Sequence, residues 1–404
     1  MAALSSYSHY QPSLSAEIIA NNEDLLTEIL VCLPVKSLLS FKSVSKNWLS
    51  IITSPNFSFR LNRLPKPISG LLMSRNNSQE YKFINLGSNP SPAPFKSLTF
   101  GNIPSRIHVK QSCNGLLLCS SLQENARRPD YFVYNPATNK YTMLPPIAND
   151  NGALYRDVVL AFDPSKSPHY KVVCVKDCFN SESSIQIEIF SSQTRTWRVC
   201  NSSFNYPNSP FFMEGVFWNN AIYWCKSWSP SIYFDLDKEE VREIPMPPNV
   251  SELGEKWSWY LGASRGHLHL IEIYSPFNTI FNIYEMEKRE DFCRWVVKYQ
   301  VDLSQIVTSY PEMIKNLQTD LDYYLFSTLC VVREENDDDS YLVVHLPGKI
   351  IRYNFKDKSF KKIHDFASSD SEHQGGSENG NEQVTDLDFV GTSAFQYQES
   401  LASV

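Results

Sequence analysis

The chain has 404 residues, 42% of them hydrophobic and 20% charged, an ordinary globular composition with room for roughly two to three domains. Its 37 basic and 44 acidic residues give a net charge of −7, which argues against a nucleic-acid binder, whose footprint is a concentrated positive field. No apolar run is long enough to span a membrane, and nine scattered cysteines suit a reducing compartment, cytoplasmic or nuclear, better than a disulfide framework.

Residues 1–21 are rich in Ser, Tyr and Ala and read as a disordered arm, without the basic start or apolar run of a signal peptide. A helix pattern then begins. Leu25, Leu26, Ile29, Leu30 and Leu33 recur on one helical face, with Glu23 and Asp24 at the positive end of the helix dipole. Pro34 stops that helix, because proline lacks the N–H and clashes with the preceding turn. Leu38, Phe41, Val44, Ser45 and Trp48 carry a second amphipathic period, giving about three short helices over residues 22–62. Chains below about 40 residues seldom fold without help, so so many apolar side chains imply a partner.

The run Leu25-Leu26, Glu28-Ile29-Leu30, Leu33-Pro34-Val35-Lys36-Ser37-Leu38-Leu39, Phe41, Val44-Ser45-Lys46, Trp48, Ile52, Ser54-Pro55 and Phe57 resembles the F-box of plant F-box proteins. It departs at its start, where Asn21-Asn22 stand in place of the usual Leu-Pro. The resemblance implies docking on a Skp-type adaptor and, through it, a cullin. The expected contacts are Leu25, Ile29, Leu33, the Pro34-Val35 corner, Leu38 and Trp48.

Residues 63–68, with Leu64-Pro65-Lys66-Pro67, form a short stiff linker. From 69 to 366 the chain reads as short strands rich in Tyr, Phe, Trp, Val and Ile, separated by turn residues. A hairpin design repeats there. It runs through Tyr131–Tyr141, Ile187–Val199, Ile232–Pro245, Phe281–Val297 and Ile350–Ile363, each copy having a polar turn and an aromatic or branched residue opening its second strand. Further strands precede the copies at Gly115–Cys119, Tyr170–Val175, Gly215–Trp224, Gly266–Ile273 and Tyr323–Val332. Four strands in roughly 45 to 60 residues is the period of a propeller blade, so a β-propeller of about six to seven blades is expected.

Cys113-Asn114-Gly115-Leu116-Leu117-Leu118, Asn135-Pro136-Ala137-Thr138 and Leu144-Pro145-Pro146 resemble the kelch-like F-box-associated domain of the same plant family. The blades are divergent: no Trp-Asp pair occurs, and the one double glycine, Gly375-Gly376, lies in a polar stretch. Residues 367–383 read as disordered. Within 384–404, Phe395–Leu401 resembles the family's C-terminal strand, placed to pair around Leu71–Phe83 and close the ring.

Signs of chemistry are weak. Gly262-Ala263-Ser264-Arg265-Gly266 has the G-x-S-x-G spacing, but a strand rather than a helix follows it. Cys174, Cys178 and His169 lack a second ligand pair at zinc spacing. Glu334–Asp339 lacks the alternation of a calcium loop and reads as a solvated hairpin turn. Trp197, Trp218, Trp224 and Trp295 fall at repeating strand positions and read as core, whereas Trp228, Trp257 and Trp259 fall between strands and suit a contact surface. With Arg156 they mark the loops 149–156, 201–212, 226–231 and 251–260 as candidate substrate-binding segments. The reading is a multidomain α+β chain, an all-α F-box followed by an all-β propeller, that recruits a substrate protein to an SCF-type E3 ubiquitin ligase. It has no catalytic residue, metal or cofactor, and no nucleic-acid or membrane partner. A second reading gives the propeller a glycan or small-molecule ligand, with the F-box as coupling handle; a propeller enzyme ranks last.

Overall fold

The computed structural model describes residues 18–19, 22–62, 66–74, 80–87, 93–95, 97–98, 106–122, 128–147, 155–177, 184–200, 204–205, 214–225, 231–247, 258–289, 292–316, 322–366 and 393–404. The chain divides into a helical unit and a strand unit. The arm at 1–21, save residues 18 and 19, and the polar segment 367–383 lie outside the described residues.

The helical unit holds α1 (Glu23–Val31), α2 (Val35–Phe41), α3 (Lys46–Thr53) and α4 (Pro55–Leu61). Asn22, at the departure from the family pattern, is the N-cap of α1: its side chain accepts the Leu25 N–H at 3.0 Å, satisfying one of the orphan donors of a helix start. Ser45 caps α3 through the Trp48 N–H, and Ser54 caps α4 through the Phe57 N–H, each at 3.1 Å. The fourth helix arises because Ser54 ends α3 in an extended conformation while Pro55 takes the first position of α4, where a missing N–H costs nothing. Leu26, Leu30, Val35, Leu38, Ile51, Ile52, Phe57 and Leu61 are buried.

The strand unit is a six-bladed propeller. Its first described strands are β1 (Gly70–Ser74) and β2 (Lys82–Asn85). Blade I is β3 (Arg106–Cys113), β4 (Leu116–Leu122), β5 (Asp130–Asn135) and β6 (Lys140–Met143). Blade II is β7 (Tyr155–Ala161), β8 (Lys171–Asp177), β9 (Ser184–Ser191) and β10 (Thr196–Val199), with β11 (Phe204–Asn205) also on β9. Blade III is β12 (Val216–Trp218), β13 (Ala221–Trp224), β14 (Ser231–Asp235) and β15 (Glu240–Ile244). Blade IV is β16 (Ser258–Ser264), β17 (His267–Ile273), β18 (Ile280–Lys288) and β19 (Cys293–Asp302). A short helix α5 (Ser304–Ser309) and a hairpin, β20 (Ile314–Asn316) with β21 (Asp322–Tyr324), lead into blade V: β22 (Ser327–Val332), β23 (Tyr341–Leu346), β24 (Lys349–Asn354) and β25 (Phe360–Asp365). Blade VI joins the two ends of the unit. β26 (Ser393–Tyr397) pairs antiparallel with β1, Gly70 facing Tyr397 and Ser74 facing Ser393, and β2 lies on the other side of β1.

The repeated hairpins are the outer halves of blades I to V, and four share one turn. Asn135, Ser191, Asp235 and Asn354 accept the N–H two residues on, at 2.9, 3.3, 3.0 and 2.9 Å. The residues four places on, Asn139, Arg195, Glu239 and Lys358, have φ of 52°, 58°, 54° and 58°. A side chain that mimics a backbone turn, followed by one left-handed residue, reverses the strand. Two-residue turns with both φ positive join the first two strands of blades I, III and IV, at Asn114-Gly115, Asn219-Asn220 and Arg265-Gly266, a geometry that matches the strand twist. Gly266 of the G-x-S-x-G spacing is therefore a hairpin residue. Between blades, the inward faces form apolar clusters such as Val159, Ile187, Ile222, Trp224 and Phe234.

Candidate functional site

On α1 the apolar residues split between two faces. Leu26 and Leu30 point into the helical unit's core, while Leu25 and Ile29, one turn apart, are 45% and 47% exposed. Leu33 is half-buried and Pro34 exposed, Pro34 standing at the N-cap of α2. Val35 and Leu38, expected among the contacts, are 4% and 0% exposed: they are packed inside the folded chain, and the free surface is the Leu25, Ile29, Pro34 side. Trp48 is half-buried and meets Phe41 edge to face, ring centroids 5.1 Å apart. Val44, Leu49 and Phe59 are also exposed, and sequence reasoning missed them because each falls inside an amphipathic period that reads as core. Glu28 and Arg60 pair across α1 and α4.

The loop residues fare differently. Trp228 and Trp257, and most of the four loops, lie outside the described residues. Trp259 is a strand residue of β16, opposite Glu272, and packs on the cluster of Tyr223, Leu261 and Leu270. The strand begins at Ser258, inside the expected loop 251–260, and this places Trp259 in a blade. Arg156 lies in β7, where its guanidinium holds Asp177 through two hydrogen bonds of 2.6 and 2.5 Å. That fork-to-carboxylate geometry occupies the side chain within blade II.

The four tryptophans read as core join blades together. Trp224 is buried and donates to Asp157 Oδ2 at 2.8 Å. Trp197 and Trp218 are half-buried and donate to the carbonyls of Pro145 and Gly266 in neighbouring blades, at 2.8 and 2.7 Å. Trp295 is buried, and its N–H meets no acceptor among the described residues.

Polar side chains lace the innermost strands. Ser112 donates to the Gln396 carbonyl, joining β3 to β26. Gln111 accepts the Leu160 N–H at 2.6 Å and donates to the Gly215 carbonyl at 3.2 Å. Asp157 accepts the N–H groups of Gly215 and Val158 at 2.9 and 2.8 Å, besides that of Trp224. Burial pushes its carboxyl up to about 6, with the three donors pulling the other way. Tyr260 accepts the Val331 N–H and a Gln396 N–H, each at 3.3 Å. These groups are spent on one another and tie adjacent blades together.

One charge network spans blades IV and V. Glu285 receives Arg333 at 2.8 Å and His267 at 3.0 Å, with His269 Nε2 at 3.6 Å. Burial opposes ionisation, but the His267 hydrogen bond, the nearby His269 and the Arg333 charge hold the Glu285 carboxyl well below the usual range. Ser264 is buried and its hydroxyl accepts the Arg333 N–H at 2.9 Å, so the serine of the G-x-S-x-G spacing faces a blade interface. In the acidic turn, Asp337 pairs with Lys298 and Arg333, and Asp338 with Lys356. Cys174 is buried, and Cys178 lies outside the described residues. No cluster of His, Cys, Asp or Glu among the described residues has the arrangement of a metal site.

The chain thus combines a small helical unit carrying an exposed apolar helix face with a six-bladed propeller braced by its own side chains. The comparisons agree. Residues 22–60 match the F-box domain family, and residues 71–267 match the F-box associated beta propeller domain family. The Arabidopsis thaliana F-box protein At5g07610 is 36% identical over 416 residues, covering 97% of this chain and 94% of its own length. Another Arabidopsis F-box protein, At5g49610, is 27% identical across 74% of this chain and 83% of its own. The F-box/kelch-repeat protein At4g19930 is 34% identical across 38% of each. This chain belongs to the family of F-box proteins with an F-box-associated β-propeller.

Proposed function

We propose that this chain is the substrate-recognition subunit of an SCF-type E3 ubiquitin ligase, its F-box bound to a Skp-type adaptor and, through it, a cullin, and its propeller holding a substrate protein. The observation that carries this reading is the α1 surface, where Leu25 and Ile29 stand exposed one turn apart within a segment matching the F-box family. Apolar side chains of that size in a desolvated patch centre supply most of the energy of an interface. The chain itself performs no chemistry; it contributes proximity and specificity. A cytoplasmic or nuclear setting is supported by the cysteines, since the eight described ones are all free thiols. Substrate contact is assigned to the loops at 149–156, 201–212, 226–231 and 251–260, which include Trp228 and Trp257.

Co-purification of the full chain with a Skp-type adaptor tests the reading. Replacing Leu25 and Ile29 together with Asp is expected to weaken that capture by at least about 2 kcal/mol, a hot-spot-sized loss, while the melting midpoint holds. Capture that survives deletion of residues 22–62 overturns the assignment.

A further inference from the structure

Two residues of the sequence motifs, Gly115 and Asn135, have a role that the family resemblance leaves unassigned: they hold a segment of the same chain. After β26 the chain runs on through Gln398–Val404 without regular secondary structure. Asn135, fully buried in β5, donates from its side-chain amide to two backbone carbonyls of this segment, Ser400 at 3.1 Å and Ala402 at 2.7 Å. The Lys66 ammonium donates to the Glu399 carbonyl at 3.3 Å, and the Gln398 amide to the Lys66 carbonyl at 3.4 Å. Ser400 is buried over Gly115, where a Cβ would fall 2.4 Å from the Ser400 Cβ. Ala402 and Val404 pack on the core cluster of blades I to III, and Ser403 is exposed.

These are the marks of extended-peptide recognition. Backbone carbonyls are read by a fixed side chain, so that anchor is blind to sequence, and every second residue faces the protein, where small pockets set specificity. Yet the segment adds no strand to any sheet among the described residues. Its hold includes side-chain hydrogen bonds and the burial of small side chains, without the backbone ladder of a blade strand among the described residues.

We propose that the surface formed by Gly115, Asn135 and the adjoining apolar cluster is an extended-peptide site, occupied in cis by Gln398–Val404 and open in trans to a segment of another protein carrying small residues at alternate positions. The partner is a peptide because the anchor reads main-chain carbonyls, and the residue seated over Gly115 is small because Ser400, which the cis segment places there, is buried in close contact with the Gly115 backbone. The tethered segment competes at high effective concentration, which makes it an autoinhibitory contact. The inference rests on the reading of the propeller as a protein-binding module, but not on the F-box.

The test uses the full chain and a fluorescent peptide of sequence Gln-Glu-Ser-Leu-Ala-Ser-Val, without any adaptor, so its failure leaves adaptor capture untouched and the reverse holds too. Ser400→Arg keeps the tether but cannot sit over Gly115. That variant is expected to keep its melting midpoint and to bind the peptide at least tenfold more tightly than the unmodified chain, and adding Asn135→Ala is expected to abolish the gain. In the unmodified chain, amide exchange of Gln398–Val404 is expected to be at least tenfold faster than that of Ser393–Tyr397. A folded Ser400→Arg chain that ignores the peptide, a collapse of its midpoint, or exchange as slow as in β26 each overturns the proposal, the last two by showing that the segment belongs to the fold.

Discussion

Two carboxylates illustrate how neighbours set the behaviour of one chemical group. Glu285 sits among an arginine and two histidines and is held ionised. Asp157 is buried among three neutral donors, the N–H groups of Val158, Gly215 and Trp224, and burial raises its carboxyl from 3.8 to about 6. A folded-state value above the unfolded one means that the folded protein holds the proton more tightly. The associated stability is complete below about pH 4 and is lost as pH rises through 6, a loss of about 3 kcal/mol at most. Asp157→Asn removes that dependence. Its unfolding free energy, measured in urea at pH 4.5 and pH 7, is therefore expected to change less between the two than that of the unmodified chain; parallel changes refute the assignment. Trp224→Phe withdraws one donor from the same carboxylate and is expected to cost about 1–3 kcal/mol at neutral pH, read from the same urea curves.

At the scale of elements, α1 and the outer hairpins make opposite demands on sequence. For α1, inward and outward residues are both apolar, so periodicity locates the helix but does not say which of Leu25, Leu26, Ile29 and Leu30 is covered; only packing against α3 and α4 decides it. The same ambiguity hid Val35 and Leu38 in the core. Leu30→Ala is expected to cost about 2–5 kcal/mol by opening a cavity, visible as early protease cleavage of the helical unit, whereas the exposed Leu25→Ala leaves the cleavage pattern unchanged. The outer hairpins were legible because one face alternates and the turn residues are polar. The central strand β23 was not, since all six of its residues are buried and no alternation survives. Asp157 was invisible for another reason: its donors Gly215 and Trp224 lie 58 and 67 residues further on. At the shared turn, Lys358 occupies a left-handed conformation, φ 58°. Lys358→Val is expected to destabilise by about 1–2 kcal/mol, because a branched Cβ crowds the carbonyl in that region, and Lys358→Gly to be near neutral; equal midpoints for the two variants refute the strain account.

For the whole molecule, the pairing of β26 with β1 makes the propeller a ring, and a ring has no exposed inner edge except where it is cut. Replacing Phe395 and Tyr397, both buried in blade VI, with Asp is expected to lower the melting midpoint of a chain of residues 64–404, while that chain with β26 intact melts as a folded domain without the helices. A midpoint indifferent to the two substitutions refutes closure by β26. The pairing also fixes when the protein can exist. Gly70 is translated 327 residues before its partner Tyr397. At a ribosomal rate of about 5–20 residues per second, the interval is on the order of 15–60 s, during which β1 has emerged and its mate has not been translated. A nascent chain thus carries an open strand edge throughout that interval, in need of shielding by chaperones, and a message truncated anywhere before Ser393 yields the four helices without a closed propeller.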